Sequence, residues 1–241
     1  AKTGHYFGDG KDRCGQLIIK DIGIDISNCG YRCVDGELID YVFAKRLSNS
    51  NKSTFGKSVV IGGCINYCGA VKLATIALCS MRAGCGLSTL AVPRNIAPCI
   101  GEAVMESTLY PLNCNEDGVV YDCNDIDELA RGASVVVIGM GLGRNVKEIQ
   151  AIIKHLISIK GLKVIIDADG LNALSTNVDI LREIAADVLI TPHPKEMSRL
   201  CGLQVQDVLA DPIAIAESFA REYNVNVLLK GSSTFITDGT C

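Results

Sequence analysis

His193 and Glu196 are the two side chains whose types and spacing most directly suggest chemistry. They follow the apolar run 188–190, which predicts a buried strand, and Pro194 suits the first turn of a helix. A three-residue spacing would place both side chains on one helix face, at the edge where open parallel sheets bind ligands. The carboxylate could hold Mg²⁺ or a water, and the imidazole could hydrogen-bond a ligand. The structural alternative, which this stretch alone favours, makes Glu196 a first-turn acid stabilised by the helix dipole and His193 a surface turn residue.

Glycine- and lysine-containing segments follow two further predicted strands. Gly139–Gly143 has the pattern GxGxG, which resembles a nucleotide-binding loop only weakly. Glycine lets backbone N–H groups approach a ligand closely, but the same segment could be a tight turn. The segment of Lys230, Gly231, Ser232, Ser233 and Thr234 offers a cation and three hydroxyls that suit a phosphate. It is not a P-loop, and an ordinary turn is an equally good interpretation.

Two carboxylates, Asp167 and Asp169, follow the apolar run 164–166. They could hold a metal ion or act as a base, although Asp169 could equally cap the helix that follows. Gly62 and Gly63 follow another apolar run. In a parallel sheet such strand ends meet at one edge, so we expect these segments to form one cleft.

The elements that would position these residues can be predicted from apolar spacing. Short apolar runs predict strands at 58–61, 87–92, 134–138, 164–166, 188–190 and 225–229. Helical spacing predicts helices at 70–81, 146–156 and 212–222, the first with Ala70, Leu73 and Ala74 on its apolar face. Strands that alternate with helices indicate an α/β fold with a mainly parallel sheet covered on both faces. We also expect a short strand at 16–19 and a polar loop over 36–56.

Charge and cysteine usage exclude some classes of partner. The chain of 241 residues has a formal net charge of -4, which gives no electrostatic reason to expect nucleic-acid binding or attachment to an anionic membrane. No apolar run reaches the roughly 18 residues of a membrane span. The 12 cysteines include no CxxC pair, and the CxxxC pairs lack a nearby histidine. We therefore expect free thiols and a cytoplasmic location.

Taken in order, the strand ends resemble the NAD(P)H-hydrate dehydratase family, which has a ribokinase-like three-layer sandwich fold. The similar segments are Phe55–Cys64, Tyr67–Ala70, Arg82–Leu87, Gly139–Leu142, Asp167–Asn172, Thr191–Glu196 and Leu229–Thr234. Each motif alone is weak, but their occurrence in the family's order makes the resemblance specific. It extends from about residue 52 to Cys241.

The resemblance implies an enzyme that repairs damaged nicotinamide dinucleotides. Hydrated NADH or NADPH would lose water in a reaction driven by ADP, or ATP, with Mg²⁺, releasing AMP and phosphate when ADP is used. Ala70, Gly141 and His193 match family positions that contact the NAD(P)H hydrate, and Lys230–Thr234 match a segment that contacts ADP. Glu196 matches the acid of the superfamily's Asn-x-x-Glu motif near Mg²⁺, with His193 in place of the Asn. The family also implies a homo-oligomer.

The two ends of the chain carry further expectations. Residues 1–28 resemble the end of the NAD(P)H-hydrate epimerase domain, which precedes the dehydratase domain in a bifunctional bacterial protein. We therefore expect an epimerase-like end and linker at 1–28 and a dehydratase domain at 29–241. The family's Gly-Gly-Ser-Gly-Asp segment, whose Asp is the implied base, does not occur in this sequence. We expect a fragment with the C-terminal part of the fold missing, its catalytic Asp beyond Cys241, and no catalysis by these residues alone.

Two other functions stay open at this point. One is a ribokinase-like small-molecule kinase of the thiazole or hydroxymethylpyrimidine type, which the epimerase-like start argues against. The other is a nucleotide-binding module without catalysis.

Overall fold

The computed structural model describes residues 3–6, 8–18, 20, 22–24, 30–34, 36–43, 45–77, 84–102, 104–121 and 123–240. Within these residues eight strands form one sheet. The strands are β1 (Lys57–Ile61), β2 (Leu87–Pro93), β3 (Thr108–Leu112), β4 (Val135–Ile138), β5 (Lys163–Ile166), β6 (Asp187–Ile190), β7 (Asn226–Leu229) and β8 (Phe235–Thr237). Their order is β3-β2-β1-β4-β5-β6-β7-β8. Neighbouring strands are parallel from β3 to β7, and β8 pairs with β7 in the antiparallel direction.

The helices that follow β1 connect the strands and cover the sheet, and two short helices precede β1. They are α1 (Gly10–Arg13), α2 (Gly36–Val42), α3 (Cys68–Ala77), α4 (Ala97–Gly101), α5 (Cys123–Ala130), α6 (Val146–Ile157), α7 (Asp169–Leu174), α8 (Pro194–Cys201), α9 (Val205–Ala210) and α10 (Pro212–Tyr223). Short 3₁₀ turns lie at Thr3–His5, Lys52–Phe55 and Val178–Glu183. No helix among the described residues combines the length and the apolar character that crossing a membrane would require.

The hydrophobic core lies on both faces of the sheet. Because side chains alternate along a strand, Val59 and Ile61 of β1 join a large core cluster, whereas Val60 joins a smaller one. The large cluster includes side chains of α5 to α10, and the smaller cluster includes side chains of α3 and α4. Each fully buried aliphatic side chain contributes about 1.5–3 kcal/mol, so this two-sided burial stabilises the sheet. The three-layer α/β fold expected from the sequence is confirmed.

The structure confirms most predicted elements and corrects several. The six predicted strands correspond to β1, β2, β4, β5, β6 and β7. Residues 16–18 form no strand, and Ile19 lies outside the described residues. The expected loop over 36–56 contains α2 and a 3₁₀ turn.

The apolar face of α3 also differs from the prediction. Val71 is fully buried, but Leu73 is 70% exposed. The helix packs through Val71 because that residue reaches the small cluster with Val60 and Leu90. The remainder of the predicted helix, 78–81, lies outside the described residues.

Candidate functional site

The predicted ligand-binding segments all follow strands that are neighbours in the sheet. We call them together the strand-end rim: residues 62–64, 139–143, 167–169, 191–193 and 230–234, which follow β1, β4, β5, β6 and β7. These five strands are parallel and adjacent, so their carboxyl ends lie side by side. Direct contacts then join one segment of the rim to the next.

At one end of the rim, Gly141 packs against α3. The Gly63 N–H donates to the Met140 carbonyl over 2.8 Å, which joins the segment after β1 to the segment after β4. Gly141 has a φ of +69°, and a Cβ added to it would lie 2.8 Å from the Tyr67 carbonyl oxygen and 3.2 Å from the Ala70 Cβ. This position therefore needs glycine both for its backbone conformation and for space. Ala70 and Gly141, predicted separately as substrate-binding residues, are neighbours.

Asp169 holds the glycine segment in place. Its backbone N–H donates to the Gly139 carbonyl over 3.1 Å, and its Oδ2 accepts from the Gly143 N–H over 2.9 Å. Asp169 is the first residue of α7 and not its N-cap, since the N-cap is Ala168, with a φ of +48°. Asp169 therefore does not cap α7, as the sequence suggested it could. It connects the segment after β5 to the segment after β4.

Lys230 joins three segments at the other end of the rim. Its Nζ donates to Asp167 Oδ1 over 2.8 Å, and its backbone N–H donates to the Pro192 carbonyl over 2.8 Å. The Lys230 side chain is 40% exposed and the Asp167 side chain 28% exposed. The ammonium group is thus fixed at the rim, while part of it stays open to solvent and to a ligand.

Lys230–Thr234 forms the connection of a β-hairpin, because β7 ends at Leu229 and β8 begins at Phe235. Gly231, Ser232 and Thr234 are exposed. The Ser233 hydroxyl donates to the Tyr6 carbonyl, so a residue near the start of the chain lies against this connection. The segment presents hydroxyl and backbone groups beside the Lys230 ammonium, an arrangement suited to an anionic ligand.

His193 and Glu196 form a capping box at the start of α8. The His193 N–H donates to Glu196 Oε2 over 2.8 Å, and His193 Nδ1 accepts from the N–H groups of Lys195 and Glu196. The Glu196 carboxylate is buried, with a side chain 7% exposed, whereas the His193 side chain is 47% exposed. The pair therefore has a structural role, because it caps the start of α8. His193 follows Pro192, whose carbonyl accepts the Lys230 N–H, and its Nε2 lies 3.4 Å from Glu196 Oε1.

The donor chemistry at this end of the rim fits a hard cation. Among the described residues no group of three or more His, Cys, Asp or Glu side chains is arranged to enclose a metal ion. Mg²⁺ commonly uses one or two carboxylates together with phosphate oxygens and water, so it does not need such a group. Asp167 supplies carboxylate oxygens within the rim, and Glu196 supplies them in the first turn of α8, directly after the rim.

A cleft of about 540 Å³ opens beside the glycine segment. Its walls include residues that the sequence reasoning did not single out: Tyr67, Arg144, Asn172 and Arg199. Only their position in the sequence could have indicated them, because each lies within a segment that resembles the family or within three residues of one. Two of them, Arg144 and Arg199, are cations, and Asp169 is also among the lining residues.

The fold and the rim define a class: an α/β protein that binds ligands beyond the carboxyl ends of a parallel sheet. Within that class, the chain belongs to the NAD(P)H-hydrate dehydratase family, whose sequence model matches residues 58–240. The resemblance drawn from the strand-end motifs is thereby confirmed.

Individual relatives agree with this assignment. The chain is 30% identical over 243 residues to the bifunctional NAD(P)H-hydrate repair enzyme Nnr of Moorella thermoacetica, covering 98% of this chain and 45% of that protein. It is 29% identical over 198 residues to the ADP-dependent (S)-NAD(P)H-hydrate dehydratase of Neisseria meningitidis, covering 81% of this chain and 62% of that protein. The chain thus spans about half the length of the bifunctional relatives it matches.

A solved structure shares the fold. The ADP/ATP-dependent NAD(P)H-hydrate dehydratase of Bacillus subtilis, crystallised with ATP and Mg²⁺, superposes with a TM-score of 0.66 at 24% identity. The superposition covers 84% of this chain and 68% of that one.

Proposed function

We propose that this chain binds hydrated NADH or NADPH together with ADP, and that it is the nucleotide-binding part of an ADP-dependent NAD(P)H-hydrate dehydratase. The proposal depends on one observation: in a chain that belongs to this family, the rim segments follow neighbouring strands and contact one another. The residues that match the substrate positions and those that match the ADP segment follow strands β4, β6 and β7 of one parallel sheet, and Ala70 lies against Gly141.

We assign the NAD(P)H hydrate to Ala70, Gly141 and His193. Gly141 is buried and lets Tyr67 and the exposed Ala70 pack directly against its backbone, which would position Ala70 for contact with a ring. We assign His193 to the hydrate through its partly exposed imidazole, whose Nδ1 accepts backbone N–H groups and whose Nε2 lies 3.4 Å from Glu196 Oε1, so that a hydrogen bond from Nε2 to the hydrate would compete with Glu196. We assign the phosphates of ADP to Lys230, Gly231, Ser232, Ser233 and Thr234.

We assign Mg²⁺ to Glu196. When bound, the ion would neutralise phosphate oxygens of the nucleotide. The residue's burial and its bond to the His193 N–H fix the orientation of the carboxylate, so that a ligand need not order it.

The proposed chemistry proceeds in two steps. The hydroxyl oxygen of the hydrate attacks the β-phosphorus of ADP, the bond from that phosphorus to the bridging oxygen breaks, and AMP leaves. The ring nitrogen lone pair then expels phosphate, and loss of a proton from the neighbouring carbon restores the double bond of NAD(P)H. Lys230 would stabilise negative charge that develops on the phosphoryl oxygens.

We propose that the base for the first step is the Asp of a Gly-Gly-Ser-Gly-Asp segment, which is not present in these 241 residues. We also propose that residues 1–28 are the end of an epimerase-like domain, since the match to the bifunctional relative covers 98% of the chain. A homo-oligomer and a cytoplasmic location are further proposals, which light scattering and cell fractionation would test.

The test combines binding with turnover. The 241-residue chain is titrated with ADP and with NADPH hydrate by calorimetry, and is then incubated with both and Mg²⁺ while the absorbance of the reduced nicotinamide ring is followed. We expect binding of both ligands without recovery of NADPH, and recovery once the chain continues into a Gly-Gly-Ser-Gly-Asp segment. Lack of binding of either ligand would overturn the proposal. Stable phosphorylation of hydroxyethylthiazole or hydroxymethylpyrimidine in place of NADPH recovery would establish the kinase alternative.

A further inference from the structure

The cleft beside the glycine segment belongs to the same rim, but no residue of the segment 230–234 lines it. Its lining comes from the segments after β4 and β5 and from helices α6, α7 and α8. Tyr67 lines the cleft, and its backbone and Cβ also contact the position of Gly141. A ligand whose reactive end lies at Ala70 and Gly141 can therefore extend past Tyr67 into the cleft.

Arg199 is oriented toward the cleft by a neighbour. Its Nη1 donates to Asn172 Oδ1 over 2.6 Å, and both residues line the cleft. This contact uses one of the five N–H donors of the guanidinium group. Within the described ranges no Asp or Glu carboxylate pairs with Arg199.

Arg144 brings a second positive charge to the cleft from the end of the glycine segment. In the part of the chain that the structure describes, it too has no carboxylate partner within ion-pair distance. The one acidic residue that lines the cleft is Asp169, whose Oδ2 accepts the Gly143 N–H. Two cations and one engaged carboxylate give the cleft a positive balance, although the whole chain carries a net charge of -4.

We propose that Arg144 and Arg199 bind the phosphate groups of the dinucleotide whose nicotinamide end lies at Ala70, Gly141 and His193. The inference rests on the proposed function. Guanidinium groups bind phosphate oxygens through paired hydrogen bonds. The bond to Asn172 already holds the Arg199 side chain in one orientation, so Arg199 loses less conformational entropy when it binds a ligand. The cleft's volume lies within the range of small-molecule sites, and Val146 and Ile149 give it an apolar wall against which a base or ribose can pack.

The phosphate could be the pyrophosphate that NADH and NADPH share or the 2′-phosphate of NADPH alone. Both are phosphate groups on the same ligand, so two arms of one experiment separate them. ADP is a less suitable occupant, because no residue of its proposed segment 230–234 lines the cleft.

The experiment measures binding of NADH hydrate, NADPH hydrate and ADP to the native chain and to Arg144→Gln, Arg199→Gln, the double variant and Arg199→Lys. Lys147→Gln is the matched control, because Lys147 is an exposed cation of α6 that lines a different depression. Thermal melts check that every variant is folded.

We expect each Arg→Gln change to weaken dinucleotide binding about tenfold, the effect of one lost charge-assisted hydrogen bond, and the double variant to weaken it further. The dinucleotide affinity of Arg199→Lys should lie between that of the native chain and that of Arg199→Gln, because lysine keeps the positive charge but lacks the paired N–H donors of the guanidinium group. Equal weakening for both dinucleotides identifies the pyrophosphate, and weakening for NADPH hydrate alone identifies the 2′-phosphate. ADP binding should stay within about twofold, a difference too small for a lost charge-assisted contact.

The possible failures are distinct. If the native chain binds the dinucleotides and the arginine variants bind them as tightly as Lys147→Gln does, the cleft assignment is wrong and the proposed function stands. If the arginine changes weaken ADP and leave the dinucleotides unaffected, the assignment is also wrong. If the native chain binds neither dinucleotide, the proposed function and this inference fail together.

Discussion

The Lys230 ammonium lies 2.8 Å from Asp167 Oδ1 and thereby connects the end of β7 to the end of β5, across the intervening strand β6. The pair places a cation at the start of the hairpin connection 230–234 and keeps it from turning into bulk solvent. Because both side chains are partly exposed, the pair itself adds about 0–1 kcal/mol to stability. Its larger consequence is the position of the positive charge.

Replacement of Lys230 by Met should weaken ADP binding about tenfold, through loss of a charge-assisted hydrogen bond to phosphate. Binding of NADPH hydrate should change by less than about twofold, because its proposed contacts are at other segments of the rim. Calorimetric titration with each ligand measures both quantities. Lys163→Met is the matched control, since Lys163 is the first residue of β5 and lies at the opposite end of the strand from the rim. Equal losses of ADP affinity in the two variants would argue against a phosphate contact by Lys230.

Replacement of Gly141 by Ala should lower both stability and dinucleotide affinity. The new Cβ would lie 2.8 Å from the Tyr67 carbonyl oxygen, and the residue would need a φ of +69°. Left-handed backbone costs about 1–2 kcal/mol for an alanine, and displacement of Tyr67 and Ala70 adds about 1 kcal/mol or more. Urea unfolding and titration with NADPH hydrate measure the two effects.

Gly132→Ala separates the backbone effect from the steric one. Gly132 has a φ of +76° but no atom within 4 Å of an added Cβ. This variant should lose about 1–2 kcal/mol from backbone strain alone and bind NADPH hydrate normally. Equal losses of stability in the two variants, together with unchanged binding, would show that Gly141 does not shape the site.

Cys201 should react slowly with alkylating reagents. Burial, followed by the nearby Glu222 carboxylate, raises the pKa of the Cys201 thiol to about 11. At about pH 8 only on the order of 10⁻³ of it is then thiolate, the reactive form. Peptide mapping after timed iodoacetamide treatment should show the exposed Cys99 modified well before Cys201. Rapid labelling of Cys201 in folded protein would contradict the packing of α8.

The same raised pKa has a consequence for stability. The unfolded thiol has a pKa near the ordinary value of 9.0, so the folded chain holds the proton more tightly. The contribution of this thiol to stability is therefore complete below about pH 9 and is lost as the pH rises through about 11. Cys201→Ser removes that part of the pH dependence, which denaturant unfolding at several pH values would detect.

Much of the fold could be predicted from the sequence because the central strands are short apolar runs. β4, β5 and β6 read as buried strands, and the residues that follow them could be identified as a common edge before the structure was known. β3 was missed because Tyr110 and Pro111 interrupt its apolar pattern. The helix α2 was missed because the serine- and asparagine-rich residues 48–53 led the whole segment 36–56 to be interpreted as a loop, although α2 itself contains Leu38, Ile39 and Val42. The face of α3 was misjudged because spacing alone does not decide which of two apolar stripes is buried.

The sequence predicted which segments form the site, but it did not predict the contacts between them. Periodicity placed His193, Gly141 and Lys230 at strand ends, but nothing in it shows that Lys230 pairs with Asp167 or that Asp169 binds the Gly143 N–H. Those contacts join residues far apart in the chain, 63 positions in the first case. The Arg199–Asn172 pair was overlooked for the same reason. Long-range pairing needs the strand order, which a single sequence does not supply.

Glu196 has a structural role in α8 that can be separated experimentally from its proposed role toward Mg²⁺. Glu196→Ala removes the acceptor of the His193 N–H and should lower the free energy of unfolding by about 1 kcal/mol. Glu196→Gln keeps an oxygen acceptor and should lose no more than about 0.5 kcal/mol, chiefly from the helix dipole. Urea unfolding of the two variants gives both values.

The readout for the metal role is the Mg²⁺ dependence of ADP binding. Glu196→Gln should abolish the increase in ADP affinity that Mg²⁺ gives the native chain, because a neutral amide is a poorer ligand for Mg²⁺ than a carboxylate. Asp207→Asn is the control, since Asp207 accepts the Gln204 N–H over 3.1 Å in the capping box of α9 and belongs to no part of the rim. That variant should retain the full effect of Mg²⁺. If Glu196→Gln retains it too, Glu196 serves only as the cap of its helix, and the cation must be held by other groups.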